Sequence, residues 1–240
     1  MSTNEKLYEH YNKKYAEQHS HVLKKIVVKE RVRNRNEGAV FWARGGLRVL
    51  EVGCGSGDVL YTLEDKYRYL IGVELSRPRF EHLTRAFGNN DKVKIIHANI
   101  EYDELDIVAG SVDTIVMTDV IEHLVEPISV LKKLSVYLMK GGELIIATPN
   151  IAKWTRRVKL LCGFFPGTAS LDEGLLMYDG KTPTDIYDEG HLHYFTNRSL
   201  TKILKDRVGF SEVEIKDYGL KYLSGLMPNL FSDCFVIARK

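Results

Sequence analysis

Between Arg48 and Ala147 the chain alternates short apolar runs with longer amphipathic ones. The apolar runs are Arg48–Val52, Tyr69–Glu74, Val93–His97, Thr114–Thr118 and Glu143–Ala147. Their interiors are apolar at successive positions rather than alternate ones, the pattern of strands covered on both faces. Val59–Lys66, Pro78–Phe87 and Pro127–Leu138 between them read as helices. Ser76 is the expected N-cap of the second, and Pro127 fits a first-turn position of the third. Each strand–helix–strand passage is a right-handed crossover, so the pattern predicts an α/β fold with a doubly wound, mostly parallel sheet.

The flanks behave differently. Tyr8, Tyr11 and Tyr15 recur at helical spacing, and a second helix is expected over Val22, Leu23, Ile26 and Val27, ending near Gly38. After Ala147 the rhythm breaks. About forty residues rich in glycine, proline and aromatic side chains follow, which is the composition of a lid or binding loop. Order returns with Asn197–Val208 as a helix, then Glu212–Lys216 and Cys234–Arg239 as an antiparallel strand pair. The resulting division is a helical N-terminal cap (1–46), a core (47–150), a lid inserted after strand five (151–193), and a C-terminal part completing the same domain (194–240).

Composition adds limits. The 240 residues are 44% hydrophobic and 28% charged, ordinary for a globular protein, and the net charge of +2 makes a nucleic-acid partner unlikely on charge grounds. Residues 1–46 hold ten Lys/Arg and five Asp/Glu, a local excess of +5. That is either a solvated helix face or a grip for substrate phosphates. Lys153, Arg156, Arg157 and Lys159 are a second candidate grip. Cys54, Cys162 and Cys234 do not stand at metal-ligand spacing, so a reducing, cytoplasmic setting is expected. No apolar run reaches membrane-spanning length, so no membrane is expected to be involved. A monomer or homodimer is expected.

The chemistry begins at Val49-Leu50-Glu51-Val52-Gly53-Cys54-Gly55-Ser56-Gly57-Asp58, a strand that opens through glycines into a helix. Glycine lets the backbone approach a ligand closely, and the helix N-terminus offers N–H groups to it. Glu74 closes the second strand about twenty residues later, beside Leu75, where a carboxylate can accept both ribose hydroxyls. The Glu-x-Gly-x-Gly-x-Gly spacing resembles the first motif of class I S-adenosylmethionine-dependent methyltransferases. With Asp113–Leu124 and Leu138–Asn150 the resemblance spans roughly residues 47–150. It implies a seven-stranded Rossmann-like sheet with the last strand antiparallel and S-adenosylmethionine across the strand ends. The cofactor residues it implies are Glu51, Gly53, Cys54, Gly55, Gly57, Glu74, Leu75 and Asp119. Asn99 and Ile100 stand where the family places an adenine contact and an apolar neighbour.

Asp119, Glu122 and His123 follow the fourth strand at i, i+3 and i+4, and share a face if a helical turn starts there. With His191 or His193 they could hold a divalent ion. The cluster resembles those of ubiquinone-pathway O-methyltransferases and small-RNA 3′-terminal 2′-O-methyltransferases, which implies a magnesium or manganese set of Asp119, Glu122, His123 and His191. Metal-free relatives also carry Glu-His here, with the histidine packing or acting as a base. His123 and His191 are therefore the candidate catalytic residues in either case. The Thr-Pro-Asn, lid, His-x-His-Tyr-Phe-Thr pattern is similar to methyltransferases of surface-polysaccharide and natural-product pathways. The expected activity is O-methylation of a small hydroxylated acceptor, first a nucleotide-activated sugar, then a quinone or phenol precursor, then an RNA 3′ end. A NAD(P)-binding oxidoreductase is the reading from another class.

Overall fold

The computed structural model describes residues 12, 21–168, 177–178, 182–183, 191–218 and 227–240. The first helix is α1 (Arg35–Trp42). The core then runs β1 (Gly46–Val52), α2 (Asp58–Leu63), β2 (Tyr67–Glu74), α3 (Arg77–Phe87), β3 (Val93–His97) and β4 (Val112–Thr118). A short 3₁₀ turn, Ile121–His123, leads to α4 (Pro127–Tyr137), β5 (Leu138–Thr148) and α5 (Trp154–Leu161). The two-residue strands β6 (Met177–Tyr178) and β7 (Thr182–Pro183) pair with each other. Helix α6 (Asn197–Lys202) continues as a π-helical run, Ile203–Val208, before β8 (Glu212–Ile215), α7 (Pro228–Phe231) and β9 (Cys234–Arg239).

Seven strands form one sheet in the order β3-β2-β1-β4-β5-β9-β8. Pairs β1–β2, β1–β4, β2–β3 and β4–β5 are parallel, and β9 is antiparallel to both neighbours. This is the expected doubly wound sheet with its antiparallel pair. The expected strand and helix bounds hold within a few residues, except that β5 begins at Leu138.

Period-two alternation assigns each strand's side chains to two cores. Leu50, Val52, Ile115, Met117, Leu144 and Ile146 pack beneath α4 and α6. Val49, Val116, Ile145 and Ala147 pack on the opposite face against α1, α2 and α3. The strand order reverses between β1 and β4, and open α/β sheets bind ligands in the crevice at such a switch point.

The N-terminal flank departs from expectation. Residues 21–30 form no helix but an extended strap along α2. The backbone N–H groups of Lys24 and Ile26 donate to Asp58 Oδ1 and Thr62 Oγ1, at 2.8 and 2.9 Å. Val22, Ile26, Val27 and Val28 are β-branched, which favours that extended course. Gly38 does not end a helix either. It lies buried inside α1, where an added Cβ would come within 2.7 Å of Phe235 and of Trp42. Tyr8, Tyr11 and Tyr15, and most of the expected lid between 169 and 190, lie outside the described residues. Among the described residues no helix is long and apolar enough to cross a membrane.

Candidate active site

The glycine turn builds one wall of the cleft at the switch point. Gly53, Gly55 and Gly57 take φ of +73°, +54° and +84°, a region costly for side chains. The Gly53 N–H donates to the Val73 carbonyl at 2.8 Å, and a Cβ at Gly53 would sit 2.5 Å from Val120 Cγ2. The thiol of Cys54 turns inward beneath Gly72, and burial pushes it up; only the residue's outer side borders the cleft. Gly57 does not line the cleft. It caps α2 and packs against Leu83.

Glu74 is buried and bridges the turn: Oε2 accepts from Gly55 N at 2.9 Å and Oε1 from Ser76 N at 2.8 Å. Burial raises its carboxyl, and these N–H groups together with Arg79 offset part of that rise. Leu75 and Ile100 supply apolar wall on the same side. Asn99 lines it too, with its side-chain oxygen accepting from Glu101 N at 3.0 Å and its N–H donating to Asp103 Oδ2 at 2.7 Å. Glu51 lies deeper, with burial raising it strongly and Oε2 without a hydrogen-bond partner.

Beyond β4 the cleft becomes polar. Asp119 is the one described non-glycine residue with positive φ, at +51°. Its N–H donates to Ala147 O at 2.9 Å, and its Oδ2 pairs with Arg35 Nε at the start of α1. The 3₁₀ turn that follows presents Glu122 and His123. Glu122 Oε2 accepts from Thr148 Oγ1 at 2.9 Å, while Oε1 is buried without a partner. Burial, and then the neighbouring Asp119, raise Glu122 to about 8. The Glu122 carbonyl accepts from Leu192 N at 2.8 Å and His193 N at 3.1 Å, which carries the returning chain to the same place.

That return delivers His191. Its ring meets His123 edge-on at 4.7 Å between centroids, and Glu122, His123 and His191 place donor atoms within 4.8 Å of one another. Asp119 is not part of this set. It precedes the turn in a left-handed conformation, so the expected shared face does not form. His193 turns away to the Val125 carbonyl at 3.3 Å. The suggested phosphate grip on α5 also changes. Lys153 and Arg156 ion-pair with Asp233 at 3.0 and 2.9 Å. Burial would raise Asp233, but these two cations outweigh it and hold the carboxyl below its ordinary value.

Several cleft residues escape sequence reasoning, among them Arg35, Asn36, Thr168 and Arg79. Arg35 and Thr168 reach the site from remote segments, with no local motif to mark them. Arg79, in the first turn of α3, lines the cleft with Glu74, and its place five residues after that strand end is the signal that could have marked it.

The residues present fit S-adenosylmethionine. An unobstructed glycine cradle, a buried carboxylate at the end of β2 and an apolar slot beside Leu75 and Ile100 match a nucleoside with a polar tail. Fold and site together define a class I S-adenosylmethionine-dependent methyltransferase. A family model described as "Methyltransferase domain" matches residues 10–215, so the chain belongs to that family, and its cofactor is S-adenosylmethionine. A ubiquinone biosynthesis O-methyltransferase of Vibrio parahaemolyticus is 26% identical over 44% of this chain and 45% of its own length. A tRNA U34 carboxymethyltransferase of Aliivibrio fischeri is 26% identical over 70% of this chain and 46% of its own. The chain thus spans less than half of these relatives. A SAM-dependent methyltransferase structure from Thermotoga maritima superposes with a TM-score of 0.59 at 20% identity, covering 86% of this chain and 88% of that one.

Proposed function

We propose that the chain methylates a hydroxyl oxygen of a small polar acceptor, with a nucleotide-activated sugar as the first acceptor class. The carrying observation is the convergence of His123 and His191 beside Glu122 at the polar end of the cofactor cleft. The cofactor supplies an electrophilic methyl group. Glu74, the Gly53–Gly55 backbone and the apolar slot hold the nucleoside, which fixes where that methyl stands. An alcohol is a weak nucleophile until its proton is taken, and an imidazole within reach removes it as the new O–C bond forms. Arg35, Asn36 and Thr168 line the same end and suit a polyhydroxylated acceptor.

A phenolic acceptor is the second reading, supported by the ubiquinone-pathway relative. A divalent cation also fits the donor set of Glu122, His123 and His191: the orphaned Glu122 Oε1 and two ring nitrogens suit manganese better than magnesium. Bound there, it would lower the pKa of a coordinated hydroxyl and so make it a better nucleophile.

The test is methyl transfer to a panel of nucleotide sugars, catechols and RNA 3′ ends, read by mass spectrometry. Replacing His191 by Ala should lower turnover on the accepted class about a hundredfold or more while leaving S-adenosylhomocysteine affinity near native. Undiminished turnover would remove His191 from the chemistry. Chelation followed by manganese in the same assay separates the base reading from the metal reading.

A further inference from the structure

We propose that α5 is an interfacial helix that docks the protein on an anionic phospholipid surface through Trp154, Val158, Leu161 and Phe164. The helix is mounted in reverse for a globular protein. None of its eight residues is buried. Its inward contacts are polar: Lys153, the N-cap, and Arg156 pair with Asp233 at 3.0 and 2.9 Å, and Arg156 Nη1 also donates to the Asn150 carbonyl at 2.7 Å. Its apolar side faces outward. Trp154, Val158 and Leu161 share one face by helical spacing. With Phe164 just beyond, they are 44%, 49%, 87% and 57% exposed in chain order.

Scattered apolar side chains on a surface are ordinary. Five within the eleven residues from Trp154 to Phe164, counting Leu160, make the kind of patch that marks an interaction site. The orientation is set by charge. Turning the apolar face inward would break both pairs to Asp233 and leave that carboxylate without its cations.

Charge also selects the occupant. Residues 151–168 carry four Lys/Arg and no Asp/Glu. Asp233 engages Lys153 and Arg156, while Arg157 and Lys159 are exposed on either flank of the apolar stripe. A second copy of the chain fits this poorly. A two-fold contact sets the same patch against itself, so cations would meet cations with no carboxylate of either segment between them. An anionic bilayer answers both features. Its phosphates meet Arg157 and Lys159, whose aliphatic stems can lie along apolar surface. The tryptophan, leucine and phenylalanine enter the acyl boundary to about 5–10 Å, a level that tryptophan favours. The helix rises only about 12 Å along its axis, so it lies in the surface and does not span it. Thr168, four residues beyond Phe164, lines the cleft, so the docked face adjoins the methyl-transfer site. The inference holds for any acceptor.

The experiment mixes the full chain with vesicles of phosphatidylcholine, alone or with phosphatidylglycerol in equal part, and reads co-sedimentation and tryptophan emission. The native protein should sediment with the mixed vesicles and not with the neutral ones. Its emission should shift to the blue, and Trp154→Phe should abolish that shift. Val158→Asp combined with Leu161→Asp should lower partitioning about tenfold or more, with S-adenosylhomocysteine affinity native as the check on folding. Arg157→Gln combined with Lys159→Gln should lower it about tenfold, and raised salt should weaken native binding in the same way. No sedimentation with mixed vesicles, equal sedimentation with neutral ones, or undiminished partitioning of either double variant would overturn the inference. So would a dimer in sedimentation velocity that the aspartate pair dissolves, since that result gives the face to a second copy.

Discussion

Glu74, at the end of β2, accepts from the backbone N–H groups of Gly55 in the glycine turn and of Ser76 just beyond its own strand. Its carboxylate is thus oriented by the protein's own backbone before any ligand arrives. Hydrogen bonds to charged groups contribute about 1.5–3 kcal/mol each, so Glu74→Gln should weaken S-adenosylhomocysteine binding at least tenfold by calorimetry. Equal affinity would take Glu74 out of the cofactor site. Glu74 was legible in the sequence because its role follows from local order: strand, glycine turn, helix, strand end. The same holds for Gly53, Gly55 and Ile100. Gly57 and Cys54 show the limit of that logic, since spacing marks them as part of the turn but not the direction in which each faces. Arg35 and Thr168 were illegible for a different reason, as their contacts with Asp119 and His191 are made through space.

At the scale of elements, α1 shows packing overruling propensity. Alanine is favoured over glycine inside a helix by about 1 kcal/mol. At Gly38, however, a Cβ would press on Phe235 and Trp42 at 2.7 Å, and overpacking of this kind costs about 1–3 kcal/mol. Gly38→Ala should therefore lower the midpoint of thermal unfolding; a higher midpoint would show that the aromatic pair yields freely. The strap at residues 21–30 makes the complementary point. Its apolar spacing suits a helix, but Asp58 and Thr62 on α2 offer acceptors one helical turn apart to an extended backbone. That partner lies more than thirty residues away, and no window along the chain contains both. Strands β1, β2, β4 and β5 needed no such partner, because burial on both faces is written into each of them; β3, at the sheet edge, is only partly buried.

Across the whole molecule, the described carboxyls that are raised all lie at the cleft. Burial raises Glu51, Glu74 and Glu122, the last from 4.5 to about 8. A carboxyl whose folded-state pKa is raised binds its proton more tightly when folded. Its contribution is complete below the unfolded value and is lost as pH climbs through the folded one. Stability should accordingly decline between about pH 5 and 8, and Glu122→Gln should flatten that decline. Denaturant midpoints measured across the range would show it, and a parallel slope in the variant would exclude Glu122 as its source. Asp233 works in the opposite sense. Its lowered carboxyl supports the fold above the ordinary aspartate range and ceases to do so in acid.

The long-range packing also bears on the order of assembly during synthesis. Helix α1 carries Arg35 to Asp119, yet the same helix rests on Phe235 of β9, with Trp42 and Phe235 at 4.7 Å between ring centroids. A segment before β1 is thereby packed against one made long after it. A nascent chain can pair β1 with β2 and β3 as they emerge, but contacts of such separation close late. The seat of α1, and with it the Arg35–Asp119 pair at the cleft, is therefore completed only once β9 has been made.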